Sequence, residues 1–226
     1  MITIREDPLI NNHYYHIYNR SIAKYTIFNN NQEFQRILQL IDLYRFSNFN
    51  FKLSYFNDLA SITQNKILRK LKSNDKKIVS IVAFCIMPTH LHLLLKQNES
   101  NSISKYMGRI LNSYSKFFNI QHNRFGPLWA GRFKSVLIKN NEQLLHLTRY
   151  IHLNPTSAKL VKNPENWEFS SYKEYIADSK YNNQLCETKN LFDINKNDYK
   201  KFVNNRKNYQ RELALIKSTL IDGYSG

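Results

Sequence analysis

The chain has 226 residues, of which 42% are hydrophobic, enough for a buried core in one domain with an extended edge or in two small ones. It contains no uninterrupted apolar run of about 18 residues, and residues 1–7 lack an apolar signal core, so we expect a cytoplasmic protein without a membrane partner. Its two cysteines, Cys85 and Cys186, exclude a disulfide framework and a cysteine-rich metal site. The formal net charge of +16 favours a polyanion as the working partner.

Alternation and apolar spacing predict the elements of the first half of the chain. The aromatic-rich alternation of residues 14–18 predicts a strand, and apolar residues from about Asn31 recur at helical spacing. Residues 47–76 are polar and rich in asparagine and lysine, so we interpret them as an insertion that holds a short helix around residues 59–71. The apolar run 78–87 suits a strand covered on both faces, and a paired strand resumes after Pro88.

The second half continues with a helix over residues 103–120 and a strand over residues 133–138. Asn140 or Asn141 can cap a further helix, which we expect to end at Pro155. The pattern of residues 198–221 predicts a weak helical segment.

The order of these elements predicts an α+β fold of the split β-α-β-β-α-β, ferredoxin-like type. In that fold one antiparallel sheet carries both helices on one face, and the helix after residue 140 is an addition to it. We place one domain at residues 1–175 and a partly helical C-terminal extension at residues 176–226.

A long basic segment interleaved with aromatic residues occupies the middle of the chain. Between Glu99 and Glu142 there is no carboxylate, although many lysines, arginines and aromatic residues fall there. Cations for phosphates together with flat rings for unstacked bases are what single-stranded nucleic acid requires. The alternative is a soluble basic surface over an aromatic core. The candidate DNA contacts are Arg132 and Lys134 above all, with Lys105, Arg109, Arg124 and Trp129.

His90 and His92 lie two residues apart on a predicted strand. Because side chains alternate along a strand, both imidazoles point to the same face and can converge on one metal ion. A lone His-x-His is weak support for a metal site, and a paired structural role is the competing interpretation.

The helix after residue 140 carries a row of polar side chains beside its apolar arc. His146, Tyr150 and Asn154 follow one another at intervals of four residues. If the helix packs on the sheet, Tyr150 offers a phenol nucleophile and Asn154 a neutral carbonyl oxygen beside the two histidines. The alternative is that Tyr150 covers a core edge and that Asn154 caps the helix before Pro155.

Four other side chains are competing candidates for the site. Tyr114 shares its helix side with apolar residues, so we predict packing or base stacking for it. His13 and His16 fall on opposite strand faces, which argues against a joint metal role. His152 lies well away from Tyr150 on the helix and is predicted to be structural.

Three segments in a fixed order resemble a known family. They are MPTHLHLL at 87–94, GRFKS at 131–135 and RYIHLNP at 149–155. Together they resemble the single-tyrosine HUH transposases, and in particular the REP-associated tyrosine transposases, which typically carry close variants of all three. FGPLWA at 125–130 and WEFSSY at 167–172 resemble the same branch, and the resemblance spans residues 13–175. Each segment is unspecific alone, whereas the combination is highly specific.

The resemblance implies the HUH nuclease fold and a chemistry. Tyr150 would attack a phosphodiester of single-stranded or hairpin DNA and form a 5′-phosphotyrosine, with Mg²⁺ or Mn²⁺ held by His90, His92 and Asn154 and no need of ATP. Relatives that mobilise insertion sequences usually carry glutamine where Asn154 stands, while asparagine is common in the REP-associated branch.

Two other functions stay open from the sequence. One is a domesticated module that binds hairpin DNA without cutting it, and the other is a zinc hydrolase using His-x-His, although no carboxylate stands near His90 to act as its base. Both a monomer and a homodimer are compatible with the sequence.

Overall fold

The computed structural model describes residues 8–177, 184–188 and 191–205. Its strands are β1 (Tyr14–Arg20), β2 (Val79–Met87), β3 (His90–Gln97) and β4 (Lys134–Leu137). They form one antiparallel sheet in the order β2-β3-β1-β4. This is the order of the split β-α-β-β-α-β arrangement, with β1 and β3 at the centre.

The α-helices of the described residues flank this sheet. They are α1 (Asn31–Leu43), α2 (Leu53–Asp58), α3 (Ser61–Asn74), α4 (Ser102–Gln121), α5 (Asn141–Ser157), α6 (Tyr172–Ile176) and α7 (Lys196–Asn204). None of these helices is long and apolar enough to cross a membrane.

One face of the sheet carries both histidines of the His-x-His pair. Tyr18 pairs with His92 and Arg20 pairs with His90 across β1 and β3, so all four side chains lie on the same side, which we call the histidine face. Helix α5 packs on this face, because the ring of Tyr150 contacts the ring of His92.

The opposite face carries α4, which in turn packs on α1. The side-chain oxygen of Gln97, which points away from the histidine face, accepts a hydrogen bond from the backbone N–H of Ile103 in α4. The hydroxyl of Tyr106 in α4 donates to the carbonyl of Ile41 in α1 at 2.7 Å. The predicted fold is therefore confirmed, with two helices on one face of an antiparallel sheet and α5 added on the other.

Helix α5 begins with a side-chain cap. The side chain of Asn140 accepts a hydrogen bond from the backbone N–H of Gln143 at 2.8 Å, so Asn140 is the cap and Asn141 the first helical residue. The apolar arc of Leu144, Leu147 and Ile151 is buried against the body of the protein.

The prediction that Pro155 ends this helix is wrong, because α5 continues to Ser157. A proline inside a helix removes one backbone hydrogen bond but leaves the following residues able to donate. The backbone N–H of Ala158 donates to the carbonyl of Asn154 at 2.9 Å and so closes the last turn around the buried proline.

The predicted insertion and the C-terminal part contribute to the core. Residues 47–76 form α2 and α3 and bury Phe49 and Phe56. Helix α7 contacts α5 and α6, and the rest of the predicted helix up to residue 221 lies outside the described residues. The predicted boundary at residue 175, between the domain and the C-terminal extension, stays a prediction.

Two later segments cover the outer edge of β2. Backbone hydrogen bonds join Phe84 and Ile86 to residues 169–171, and Ile81 to Glu187. This outer strand therefore has partners on both of its sides.

Candidate active site

His90 and His92 stand at the start of β3, directly after the turn at Pro88 and Thr89. Their ring centroids lie 5.1 Å apart on the histidine face. Nδ1 of His90 lies 2.9 Å from the hydroxyl oxygen of Thr89. His92 is fully buried, and its Nε2 has no hydrogen-bond partner among the described residues. A buried polar atom without a partner is costly, so this nitrogen is the atom that a bound ligand would satisfy.

The other ring nitrogen of His92 is engaged by His16. Nε2 of His16 lies 3.0 Å from Nδ1 of His92, and both side chains are fully buried. Sequence reasoning missed this contact because it compared His16 only with His13, whereas the partner lies 76 residues further along the chain. A histidine in the middle of an aromatic strand was the available signal.

Burial keeps both candidate ligands neutral. It lowers the pKa of His90 to about 4, with a further contribution from the positive charge of Arg20, and it holds the pKa of His92 well below its usual range, with smaller contributions from His90 and His16. A neutral imidazole is the form that binds metals. Arg20, which pairs with His90 across the strands, is a positive group at the site that sequence reasoning did not single out.

Tyr150 presents the edge of its ring to the histidines from α5. Its ring centroid lies 5.8 Å from that of His92 and 6.2 Å from that of His16, and the side chain is half-buried. The third member of the predicted row, His146, instead packs its ring against Phe202 of α7 at 5.3 Å. The structure thus brings Tyr150, but not His146, to the histidine pair.

Asn154 lies one helical turn after Tyr150. Its side-chain N–H donates to the backbone carbonyl of Tyr150 at 3.1 Å, which does not use its own carbonyl oxygen. The alternative of Asn154 as the helix cap is wrong, because the cap is Ala158. Asn154 therefore lies on the same side of α5 as Tyr150, and its place beside the two histidines stays a prediction.

The donor set predicted for this site is two imidazoles and an amide. Within the described ranges, no group of three or more histidine, cysteine, aspartate or glutamate side chains could hold a metal ion. A metal bound at His90 and His92 would thus take its third protein ligand from a neutral oxygen, the kind that Asn154 offers. The role of these three residues as ligands stays a prediction.

Three of the predicted DNA contacts are exposed, namely Arg132, Lys134 and Lys105. Lys134 pairs with Tyr18 and so belongs to the histidine face. Arg132 follows a segment tied to the end of β1, where the backbone N–H of Ala130 donates to the carbonyl of Arg20. Lys105 lies on α4, on the other side of the sheet. Their contacts with DNA stay predictions.

Two predicted cationic contacts are occupied within the fold. The guanidinium of Arg109 donates to the carbonyl of Phe49 at 2.6 Å and lies over the ring of Tyr44 at 4.3 Å. That of Arg124 donates to the carbonyl of Pro127 at 2.7 Å, which fixes the loop after α4. Both side chains therefore stabilise the fold in this conformation.

Trp129 is also occupied, so we withdraw it as a base-stacking candidate. Its side chain is buried and its indole N–H donates to the carbonyl of Leu111 at 3.3 Å. The exposed ring of the same segment is Phe125, which is 94% exposed beside Arg124. Sequence reasoning could not separate the two rings, because both lie in one aromatic and basic stretch.

Two further candidates, Tyr114 and His152, are buried. The hydroxyl of Tyr114 donates to the carbonyl of Ile27, and burial raises its pKa far above the usual range, with the nearby carboxylate of Glu33 adding to the shift. The ring nitrogens of His152 bond the hydroxyls of Tyr199 and Ser171. Both side chains face the interior and not the histidine pair.

Comparisons with known proteins agree with this geometry. The model of the family described as "Transposase IS200 like" matches residues 50–154. A REP-associated tyrosine transposase of Escherichia coli is 24% identical over 123 residues, which are 53% of this chain and 71% of that protein. This chain is similar to the REP-associated tyrosine transposases. The resemblance seen in the sequence is thereby confirmed.

Two further relatives extend the comparison. A Haemophilus influenzae protein, which bears the same name provisionally, is 28% identical over 103 residues, covering 40% of this chain. This chain matches only 57% of that relative's length. A solved structure of a REP-associated tyrosine transposase bound to a REP hairpin has a TM-score of 0.53 at 18% identity, covering 86% of this chain and 95% of the other. At that identity the likeness supports the shared fold.

Proposed function

We propose that this chain cleaves and rejoins single-stranded DNA through a covalent 5′-phosphotyrosine on Tyr150. The observation that carries the proposal is the ring of Tyr150 against His92, whose buried Nε2 has no partner among the described residues. A phenol beside two neutral imidazoles that could bind a metal ion is a nucleophile next to a centre that can stabilise charge on a phosphate. The transposase names of the relatives agree with a DNA-processing enzyme.

The reaction balances without an external energy source. The phenol oxygen of Tyr150 forms a bond to phosphorus, the bond from phosphorus to the 3′ oxygen breaks, and the proton lost by the phenol is matched by the one that the 3′-hydroxyl gains. Attack by a 3′-hydroxyl on the phosphotyrosine reverses the step and joins two strands. The sequence accordingly needs no nucleotide-binding loop, and it contains no GxxxxGK[ST] motif.

His90, His92 and Asn154 would hold a divalent ion at this place. When bound, Mg²⁺ or Mn²⁺ would polarise the scissile phosphate and offset its developing charge. The residues themselves contribute fixed geometry, because His92 is fully buried between β1 and α5 and Asn154 is rigid on the helix that carries Tyr150. Two neutral imidazoles and an amide add no negative charge that would repel a phosphate.

Hairpin or single-stranded DNA is the partner we propose. Lys134 lies on the histidine face, from which a phosphate would approach, and Arg132 is exposed two residues before it. Phe125 replaces Trp129 as the candidate for base stacking, because it is exposed on a loop that Arg124 fixes.

Adduct formation tests the proposal. The purified chain is incubated with single-stranded hairpin oligonucleotides taken from the DNA that flanks its own gene, with Mn²⁺ or Mg²⁺, and separated on a denaturing gel. The wild type should form a covalent protein–DNA adduct. Tyr150→Phe should lose the adduct and keep DNA binding, since only the nucleophilic oxygen is removed.

Tyr18→Phe is the matched control, since Tyr18 lies on the same face with its ring 6.4 Å from that of His92. It should retain the adduct. An adduct that persists in Tyr150→Phe and disappears in Tyr18→Phe would move the nucleophile to β1. Wild-type binding of the hairpin without any adduct would instead favour a DNA-binding module that does not cut.

A further inference from the structure

We propose that His16 is a positioning residue for His92, which it holds in the one neutral form that can bind a metal ion through Nε2. The inference rests on the proposed metal role of His92. It adds a residue on β1 to a site that the sequence places only on β3 and α5.

The two rings form a fixed pair inside the protein. Nε2 of His16 and Nδ1 of His92 lie 3.0 Å apart, within hydrogen-bonding range, and the ring planes differ by only 15°. Both side chains are 0% exposed, so water does not compete for this bond. The pair is set by the sheet register, which aligns Tyr18 with His92 and places His16 diagonally beside it.

Only one arrangement of protons in this pair suits a metal ligand. A neutral imidazole carries one N–H, and one of the two facing nitrogens must donate it to the other. If Nδ1 of His92 donates to Nε2 of His16, then Nε2 of His92 keeps its lone pair. If His16 donates, the proton of His92 stands on Nε2 and blocks it. Because Nε2 of His92 is the atom without a partner, the acceptor role of His16 is the one that makes it a ligand.

If His16 served only in packing, its ring would matter and its nitrogen would not. An aromatic ring of similar size would fill the same space between Tyr18 and Tyr150, whose rings lie 5.1 Å and 6.2 Å from that of His16. It would leave Nδ1 of His92 buried without an acceptor. Phenylalanine at position 16 therefore separates the two roles, since it keeps the ring and removes the nitrogen.

Metal binding in the absence of DNA tests this. Mn²⁺ is titrated into the full chain, and the free ion is followed by its electron paramagnetic resonance signal. His16→Phe should weaken Mn²⁺ binding about 10–100-fold, the range seen when the partner of a ligating histidine is removed. His16→Gln should recover part of this loss, because its amide oxygen can accept from Nδ1. His13→Gln is the control, since His13 is exposed just before β1, and it should bind as the wild type does.

The ring nitrogens of the wild type give a second measurement that needs no variant. Nitrogen-15 NMR of the metal-free chain should show His92 protonated on Nδ1 and unprotonated on Nε2. A proton on Nε2 overturns the inference, and so does wild-type Mn²⁺ affinity in a folded His16→Phe. If thermal melting shows that His16→Phe does not fold, the NMR result decides alone. His92→Ala separates the two proposals: if it binds Mn²⁺ as well as the wild type, the metal site itself is wrong, whereas lost binding with unchanged His16→Phe overturns only the role of His16.

Discussion

Acidification should destabilise the protein through His152, a fully buried ring on α5. Its Nδ1 lies 2.7 Å from the hydroxyl of Tyr199 and its Nε2 lies 2.8 Å from the hydroxyl of Ser171. Both of these partners are neutral, so burial lowers the pKa of His152 from 6.5 to about 3. The folded protein therefore keeps this ring uncharged at pH values where the unfolded chain protonates it.

The direction and size of the effect follow from this difference in pKa. The stabilisation is complete above the unfolded pKa of about 6.5, and it is lost as the pH falls towards the folded value, because the unfolded state binds a proton that the folded state does not. Between neutral pH and about pH 5, protonation of this one residue in the unfolded chain lowers the free energy of unfolding by about 2 kcal/mol. His152 in the folded protein is still neutral at about pH 5, so the folded state gains no proton that would offset this loss.

Urea denaturation at about pH 7.5 and about pH 5 measures the loss, with His152→Gln as the reference. The amide of glutamine can bond both hydroxyls but does not titrate. Other groups that titrate in this range, including His90 and His92, are present in both proteins and cancel in the comparison. The free energy of unfolding of the wild type should fall by about 2 kcal/mol more than that of the variant. Equal losses would show that the ring is protonated or solvated in the folded state, and the reasoning would be refuted.

Three further predictions concern the proposed site. His92→Ala should abolish metal-dependent cleavage while the thermal melting curve shows an intact fold, and undiminished cleavage would refute the metal assignment. Lys134→Ala should flatten the log–log dependence of single-strand affinity on salt by about 0.7, the value of one phosphate contact, whereas Lys105→Ala on the far side of the sheet should change it less; equal changes would mean that DNA is not confined to the histidine face. Phe125→Ala should lower DNA affinity by about 1–3 kcal/mol with an unchanged salt slope. Trp129→Ala should instead destabilise the fold by about 3–5 kcal/mol in urea denaturation, and a stable variant with weak DNA binding would reverse the two assignments.

The parts of the site that depend on local periodicity could be predicted from the sequence. Side chains two residues apart on a strand lie on the same face of the sheet, and the rings of His90 and His92 are indeed neighbours. The spacing of α5 likewise predicted which side of the helix packs, and that placed Tyr150 beside the sheet. These inferences need only the repeat of a strand or a helix, which a single sequence displays.

The parts that depend on pairing across the chain could not be predicted. His16 reaches His92 through the register of β1 on β3, and no pattern within either segment encodes that register. Trp129 and Phe125 differ only in which way a loop turns them, and the basic composition around them is the same. The end of α5 could not be predicted either. Whether a helix continues past a proline depends on whether the following residues can still form their backbone hydrogen bonds, as they do after Pro155.

The cover on β2 bears on how this protein can be shortened. Two side chains add to the backbone bonds with residues 169–171. The indole N–H of Trp167 donates to the backbone carbonyl of Ile86, and the hydroxyl of Tyr175 donates to the backbone carbonyl of Val82. A fragment that keeps the whole sheet but ends after α5, at Ser157, would lack all of these donors and would present a long apolar strand with open backbone groups. Such an edge recruits strands from other molecules, so that fragment would aggregate, and the stretch after α5 acts as a built-in guard against self-association.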